Sequence, residues 1–322
     1  MRAVAIRGGE LEVVDVDDPR PVAGEVVIDV AAAGVNRADT SQRRGRYDPP
    51  PGSSPYPGLE CAGTISEVCD DTAPWRVGDV VCALLAGGGY AEKVAVPAGQ
   101  VFRAPTALSL EHAAAVPEAA ATVWSNLMDI GGLREGETVL VHGGASGIGT
   151  TAIQLARLVG AEVLVTAGST AKLAACEALG ASTMINYRRE DFVQRTLDAT
   201  GGRGVDVVLD IIGADYLQRN IDALAVEGRL AMIGIQGGVE ASLDLRTVLR
   251  KRVTITGSML RSRPIAEKSH IVRQVVQHVV PAIEAGTVKP VVEAILPLEE
   301  AARAHTLIES SQHIGKIILK TG

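Results

Sequence analysis

The chain has 322 residues, of which 47% are hydrophobic and 21% charged. That apolar content excludes intrinsic disorder, and the length calls for two domains. Lys and Arg number 31 against 38 Asp and Glu, a formal net charge of -7, and only nine residues are aromatic (two Trp, five Tyr, two Phe). The sequence therefore lacks both the basic stripe and the stacking rings of a nucleic-acid binder.

From Arg2 to about Val101 the chain reads as short strands punctuated by Gly and Pro: Arg2–Ile6, Glu25–Ala33, Gly63–Val68, Asp79–Cys82 and Tyr90–Val96. The proline-rich stretch Pro49–Pro55 is expected to be a surface loop. Ser109 resembles the cap of a short helix ending near Pro117, and a second helix is predicted over Ala119–Asp129. From Glu137 strands and helices alternate regularly. The predicted strands are Thr138–His142, Glu162–Ala167, Thr183–Asn186, Val205–Ile212, Arg229–Ile235 and Arg252–Thr256. The intervening helices are Ser146–Val159, Thr170–Leu179, Glu190–Thr200 and Ala214–Ala225. This pattern describes an α/β fold with a doubly wound parallel sheet. After Gly257 come a long helix (Ser269–Ala285), a strand (Val291–Ile295), a helix (Ala301–Glu309) and a last strand (Lys316–Lys320). That last strand is expected to return to the first domain, giving a β-rich domain of residues 1–119 completed by 258–322 around a nucleotide domain of residues 120–257.

The sharpest local signal is Gly143-Gly144-Ala145-Ser146-Gly147-Ile148-Gly149. An apolar strand enters this turn and a helix leaves it. Glycines let the backbone approach a pyrophosphate, and the first amides of the helix face the anion. Dinucleotide binding through Gly144, Ala145, Ser146, Gly147 and Ile148 is the expectation. The end of the next strand identifies the dinucleotide. An NAD site places Asp or Glu there to accept from the ribose hydroxyls, whereas this chain has Gly168, Ser169 and, three residues on, Lys172. A 2′-phosphate suits the Ser169 hydroxyl, the Lys172 ammonium and the phenol of Tyr187, with Arg188 a weaker candidate. NADPH is the predicted cofactor. Ser169 is equally suited to cap its helix, and Lys172 to be a solvated first-turn residue.

No metal set is expected. The first 111 residues contain no histidine, and Cys61, Cys69 and Cys82 are not grouped, so a Cys/His/Glu zinc set cannot be assembled there. No two of the four cysteines form a CxxC pair, the apolar runs are too short to span a bilayer, and MRAVAIRGG carries no apolar signal segment. A cytoplasmic protein with reduced thiols and no membrane association is the expectation.

Several motifs together resemble one family. They are Ala33-Gly34-Val35-Asn36-Arg37-Ala38-Asp39, Arg43–Pro51, Pro57-Gly58-Leu59-Glu60, Gly78-Asp79-Val80-Val81, the Gly143–Gly149 turn and Leu260-Arg261-Ser262-Arg263. Over essentially its whole length the chain is similar to the zinc-independent quinone oxidoreductases of the medium-chain dehydrogenase/reductase superfamily, the zeta-crystallin-like and p53-inducible branch. Zinc-using members have Cys in the place of Asn36 and His in the place of Leu59. The resemblance implies a GroES-like, mostly β catalytic domain beside a Rossmann-type domain, with substrate entering between them. It implies that Asn36 and Tyr47 line the nicotinamide and substrate end. Thr122 would touch the ribose or phosphates, and Met259 and Leu260 would bring main-chain groups to the nicotinamide amide. It further implies a homodimer, and metal-free hydride transfer from NADPH to a quinone or another electrophilic acceptor. Tyr47 is expected either to donate a proton or to wall the pocket. An activated C=C bond, as in an enone or enoyl thioester, is the alternative acceptor, and an NADPH-binding structural or regulatory protein is the second alternative.

Overall fold

The computed structural model describes residues 1–322. The chain divides into two compact units, Met1–Ala121 with Leu260–Gly322, and Thr122–Met259.

The first unit is built on a seven-stranded sheet. Its strands run Val292–Pro297, Lys316–Lys320, Glu25–Val35, Glu60–Val68, Val80–Leu84 and Val101–Arg103, and Lys93–Pro97 also pairs with Glu25–Val35. The C-terminal strand does return to this sheet, antiparallel to Glu25–Val35 with Ile317 opposite Val35. On its other side Glu25–Val35 pairs with Glu60–Val68, Cys61 opposite Ala33. These two registers place Lys316 and Glu60 on either side of the chain as it leaves the central strand at Asn36. Apolar residues from the same strands, including Ala33, Val35, Ile317 and Leu319, form one core cluster with Leu298, Ala304 and Ile308.

The second unit is a six-stranded sheet in the order Thr183–Asn186, Glu162–Ala167, Thr138–His142, Val205–Asp210, Leu224–Met232 and Thr254–Gly257. All of its pairings are parallel. The order reverses direction between Thr138–His142 and Val205–Asp210, the switch point at which doubly wound sheets bind nucleotides. The strand Thr138–His142 is buried at every residue, as a strand covered on both faces must be.

Several sequence expectations are corrected. The strand expected over Tyr90–Val96 runs Lys93–Pro97, because Tyr90 is instead fully buried with its hydroxyl hydrogen-bonded. The helix expected at Ala119 starts at Pro117, where a missing N–H costs nothing, and turns from α to π geometry at Ser125. The strand expected from Arg252 starts at Thr254, since Arg252 caps a helix in the left-handed conformation (φ 53°). The strand expected over Arg229–Ile235 runs Leu224–Met232. The strand Glu10–Asp15 and the helices Arg37–Arg43 and Leu245–Lys251 are additional.

Candidate active site

Asn36 caps the helix Arg37–Arg43, but its side chain turns away from that helix. Its Nδ2 donates to Glu60 Oε1 at 2.9 Å and to the carbonyl of Gly34 at 3.3 Å. Its Oδ1 accepts from Lys316 Nζ at 2.7 Å. The same ammonium lies 2.5 Å from Glu60 Oε1. Glu60 is wholly buried, and its second oxygen accepts from the amide of Glu118 at 2.8 Å. Both amide hydrogens of Asn36 are thus committed, while Oδ1 keeps one lone pair. Gly34, directly across the ladder, has no room for a side chain: a Cβ there would run into the Glu60 carboxylate.

Behind this cluster lies a second buried one. Asp39 accepts from the amides of Asn36 (2.7 Å) and Gly58 (3.0 Å) and from the Tyr90 hydroxyl (3.1 Å). Burial pushes its carboxyl up to about 6, against the pull of those donors. His305 Nε2 lies 3.2 Å from the Tyr90 oxygen. Because Tyr90 gives its proton to Asp39, the imidazole must donate through Nε2, which leaves Nδ1 as the unpartnered buried acceptor. These bonds tie the start of the Arg37–Arg43 helix to the core.

Tyr47 is half-buried on the loop after that helix. The Arg261 guanidinium sits 5.3 Å from its ring centre, and Arg261 also donates to the carbonyls of Tyr47 (3.2 Å) and Ala86 (2.7 Å). Burial, and Glu118 nearby, push the phenol up to about 12, with Arg261 opposing. It is a proton carrier at neutral pH.

In the second unit the glycine turn has the geometry its sequence requires. Gly143 has φ +69°, and a Cβ on Gly149 would strike the backbone of Gly143 and Gly144. Ser146 caps the helix Gly147–Leu158, its Oγ accepting from the Gly149 amide at 3.0 Å. The amides of Gly147 and Ile148 open the helix and have no intrahelical acceptor. Thr122, the first residue of this unit, is buried. Met259, the last, is 61% exposed, and Leu260, the first of the returning segment, is buried.

At the end of Glu162–Ala167, Ser169 caps the helix Thr170–Ala178 through the Lys172 amide (3.4 Å). The space over Gly168 is bounded by the Tyr187 hydroxyl and Arg188 Nε, 2.8 and 3.1 Å from where a Cβ would stand. Tyr187 and Arg188 therefore meet over Gly168, Ser169 and Lys172 follow on the first turn of the helix that begins there, and the strand end itself carries no carboxylate.

No three side chains of His, Cys, Asp or Glu are grouped to hold a metal ion. Residues 22–106 match the family described as alcohol dehydrogenase GroES-like domain, and residues 147–280 that described as zinc-binding dehydrogenase. The quinone oxidoreductase of Rattus norvegicus is 33% identical over 307 residues, covering 95% of this chain and 92% of the rat protein. The chain belongs to the zinc-independent quinone oxidoreductase family. Another member, the Escherichia coli quinone oxidoreductase complexed with NADPH, superposes with a TM-score of 0.89 at 30% identity over 99% of both chains. A CurK enoyl reductase superposes with a TM-score of 0.87 at 26% identity, over 100% of this chain and 99% of that one. The zinc in one family description finds no ligands in this quinone oxidoreductase family member. Asn36 is engaged by Glu60 and Lys316, and Leu59 is buried hydrocarbon.

Sequence reasoning missed Asp39, Lys316 and the two structural roles of Arg261. In the sequence Glu60 stands out only as the end of the Pro57-Gly58-Leu59-Glu60 motif. A carboxylate opening an otherwise apolar strand was the available signal, since a buried acid requires partners. Lys316 gives no local signal at all.

Proposed function

We propose that the protein transfers hydride from NADPH to a quinone without a metal ion. The observation that carries this reading is a strand end without a carboxylate, where the Tyr187 hydroxyl and Arg188 guanidinium meet over Gly168 and Ser169 and Lys172 open the next helix, a set that suits a 2′-phosphate. The Gly144–Ile148 turn takes the pyrophosphate on the amides of Gly147 and Ile148, and Thr122 contacts the ribose or phosphates. Main-chain groups of Met259 and Leu260 hold the nicotinamide amide. Asn36, with its hydrogens spent on Glu60 and Gly34, serves as an acceptor for a ribose hydroxyl and not as a donor to a carbonyl.

NADPH supplies the hydride from C4 of its nicotinamide, and the protein's part is orientation and charge stabilisation. Tyr47 remains protonated at neutral pH, so its hydroxyl can donate to oxygen as negative charge develops there. A quinone accepts hydride readily and needs no Lewis acid, which fits a site where the cations Lys316, Arg261 and Lys268 are already bonded to protein groups.

The test is a steady-state screen of NADPH oxidation against ortho-quinones, para-quinones and enones. Acceptor-dependent oxidation strongest with quinones supports the reading, and none with any acceptor overturns it. The likeness to CurK enoyl reductase favours an activated alkene as the second reading. Its signature is enone turnover exceeding quinone turnover. The protein is further proposed to act in the cytoplasm as a homodimer joined at Thr254–Gly257. That strand ends its sheet with one side unpaired, and Leu245, Leu249 and Ile255 nearby are exposed.

A further inference from the structure

We infer that Lys316 is a positioning residue: with Glu60 it fixes which end of the Asn36 amide is offered to the cofactor. This rests on the reading of Asn36 as a cofactor-side residue. An asparagine amide is nearly symmetric in shape, and a half-turn about its last bond exchanges the oxygen for the NH2 group. An ammonium can only donate and an ionised carboxylate can only accept. With Lys316 Nζ 2.7 Å from Oδ1 and Glu60 Oε1 2.9 Å from Nδ2, only one orientation satisfies both neighbours. The flipped amide would set NH2 against the ammonium and oxygen against the carboxylate, losing both bonds.

Neither charged group can drift to accommodate a flip. Lys316 is 5% exposed and Glu60 is wholly buried, and the Glu118 amide holds the second oxygen of Glu60 at 2.8 Å. The pairing registers fix the backbone on both sides, with Ile317 opposite Val35 and Cys61 opposite Ala33. Gly34 leaves the carboxylate the space it needs. Asn36 therefore meets the cofactor with a preset oxygen acceptor. Without the pair the amide would lose both its orientation and its anchor, and its flipped and swung-away arrangements would offer no acceptor where one is required.

The experiment compares NADPH dissociation constants, read by nucleotide fluorescence, with melting temperatures for three variants. Asn36→Ala removes the amide. The double variant Glu60→Met/Lys316→Met replaces the buried ion pair with apolar groups of similar length, a change that buried pairs often tolerate without loss of stability. The triple variant combines them. Positioning predicts that Asn36→Ala and the double variant each weaken NADPH binding about tenfold, with the double variant melting near the parent. It also predicts that the triple variant is no weaker than Asn36→Ala alone, because the pair acts through the amide. If Asn36→Ala is tenfold weaker but the double variant binds within about twofold of the parent, the inference about Lys316 falls. If Asn36→Ala itself binds within about twofold, the cofactor role of Asn36 falls first. Should the double variant not fold, Lys316→Met alone is read by the same criteria. If neither folds, the pair is structural and the inference is overturned.

Discussion

Arg261 holds Tyr47 twice, through its guanidinium 5.3 Å from the ring centre and through a 3.2 Å hydrogen bond to the carbonyl of the same residue. A third bond, to Ala86, joins the loop that follows Val80–Leu84 to the same side chain. Arg261→Leu should therefore loosen the Tyr47 loop while leaving the nucleotide unit intact. The expected result is an acceptor KM raised about fivefold or more, with the NADPH dissociation constant within about twofold of the parent. Loss of the two carbonyl partners should cost roughly 1–3 kcal/mol of stability. A dissociation constant that moves as far as KM would place Arg261 on the cofactor instead.

Tyr47→Phe separates the two proposed acceptors. Reducing an activated alkene requires a proton at carbon after hydride arrives, whereas the hydroquinone monoanion that hydride transfer to a quinone leaves is protonated at oxygen readily by solvent. Enone turnover should fall by about tenfold or more and quinone turnover by less than about threefold. Parallel kcat measurements on one enzyme preparation decide it, and equal losses would make Tyr47 a wall of the pocket and no proton donor.

Lys172→Ala tests the choice of dinucleotide. A 2′-phosphate that loses its ammonium partner should bind about tenfold or more weakly, while NADH, which has no such group, should change by less than about twofold. Isothermal titration with both nucleotides measures the difference. Equal losses would mean that Lys172 serves the fold or the pyrophosphate and not the 2′-phosphate.

What the sequence made legible follows from how local each signal was. Thr138–His142, Glu162–Ala167 and Thr183–Asn186 lie at the residues expected because buried parallel strands read as short apolar runs bounded by turns. Ser109 and Ser169 cap helices as expected, since a cap needs only its own oxygen and an amide three residues on. The helix Arg37–Arg43 was invisible because its buried residues are Asp39, Thr40 and Gln42, which leave no apolar period. The helix Leu245–Lys251 inverts the usual pattern, exposing Leu245 and Leu249 while burying Thr247. The glycine turn could be read from one short segment. The arrangement around Asn36 could not, because Glu60 lies 24 residues away and Lys316 lies 280 away. Only the two strand registers bring them together.

The inverted helix also bears on assembly. Leu245 and Leu249 are 67% and 77% exposed, and the neighbouring edge strand Thr254–Gly257 offers an unpaired row of backbone groups. A second copy related by a two-fold axis would cover the leucines and continue the sheet. If the proposed dimer forms on this face, light scattering after size exclusion gives a dimer mass for the parent and a monomer mass for Leu245→Glu/Leu249→Glu. A variant that keeps the dimer mass would move the interface to another face.

Four buried groups shape the response to acid. Burial pushes His142 and His305 down to about 4 from 6.5, and pushes Asp39 and Asp210 up to about 6 from 3.8. The histidines favour the folded state fully above pH 6.5 and lose that contribution as pH falls towards 4. The aspartates act in the opposite sense, favouring the folded state below pH 3.8 and losing that contribution as pH rises towards 6. Each group is worth roughly 3 kcal/mol across its window, so the two pairs largely offset each other and leave these groups a shallow combined slope. Removing one histidine should expose the imbalance. His142→Gln loses the bonds to Thr166 and Asn220 and is less stable than the parent at pH 7. The parent, however, loses stability on acidification through His142 and the variant does not. The gap between them should therefore narrow by about 2–3 kcal/mol between pH 7 and 4.5, as measured by urea unfolding at each pH. A gap that stays constant would mean that His142 takes up its proton in the folded state at the same pH as in the unfolded chain, and that burial does not hold it neutral.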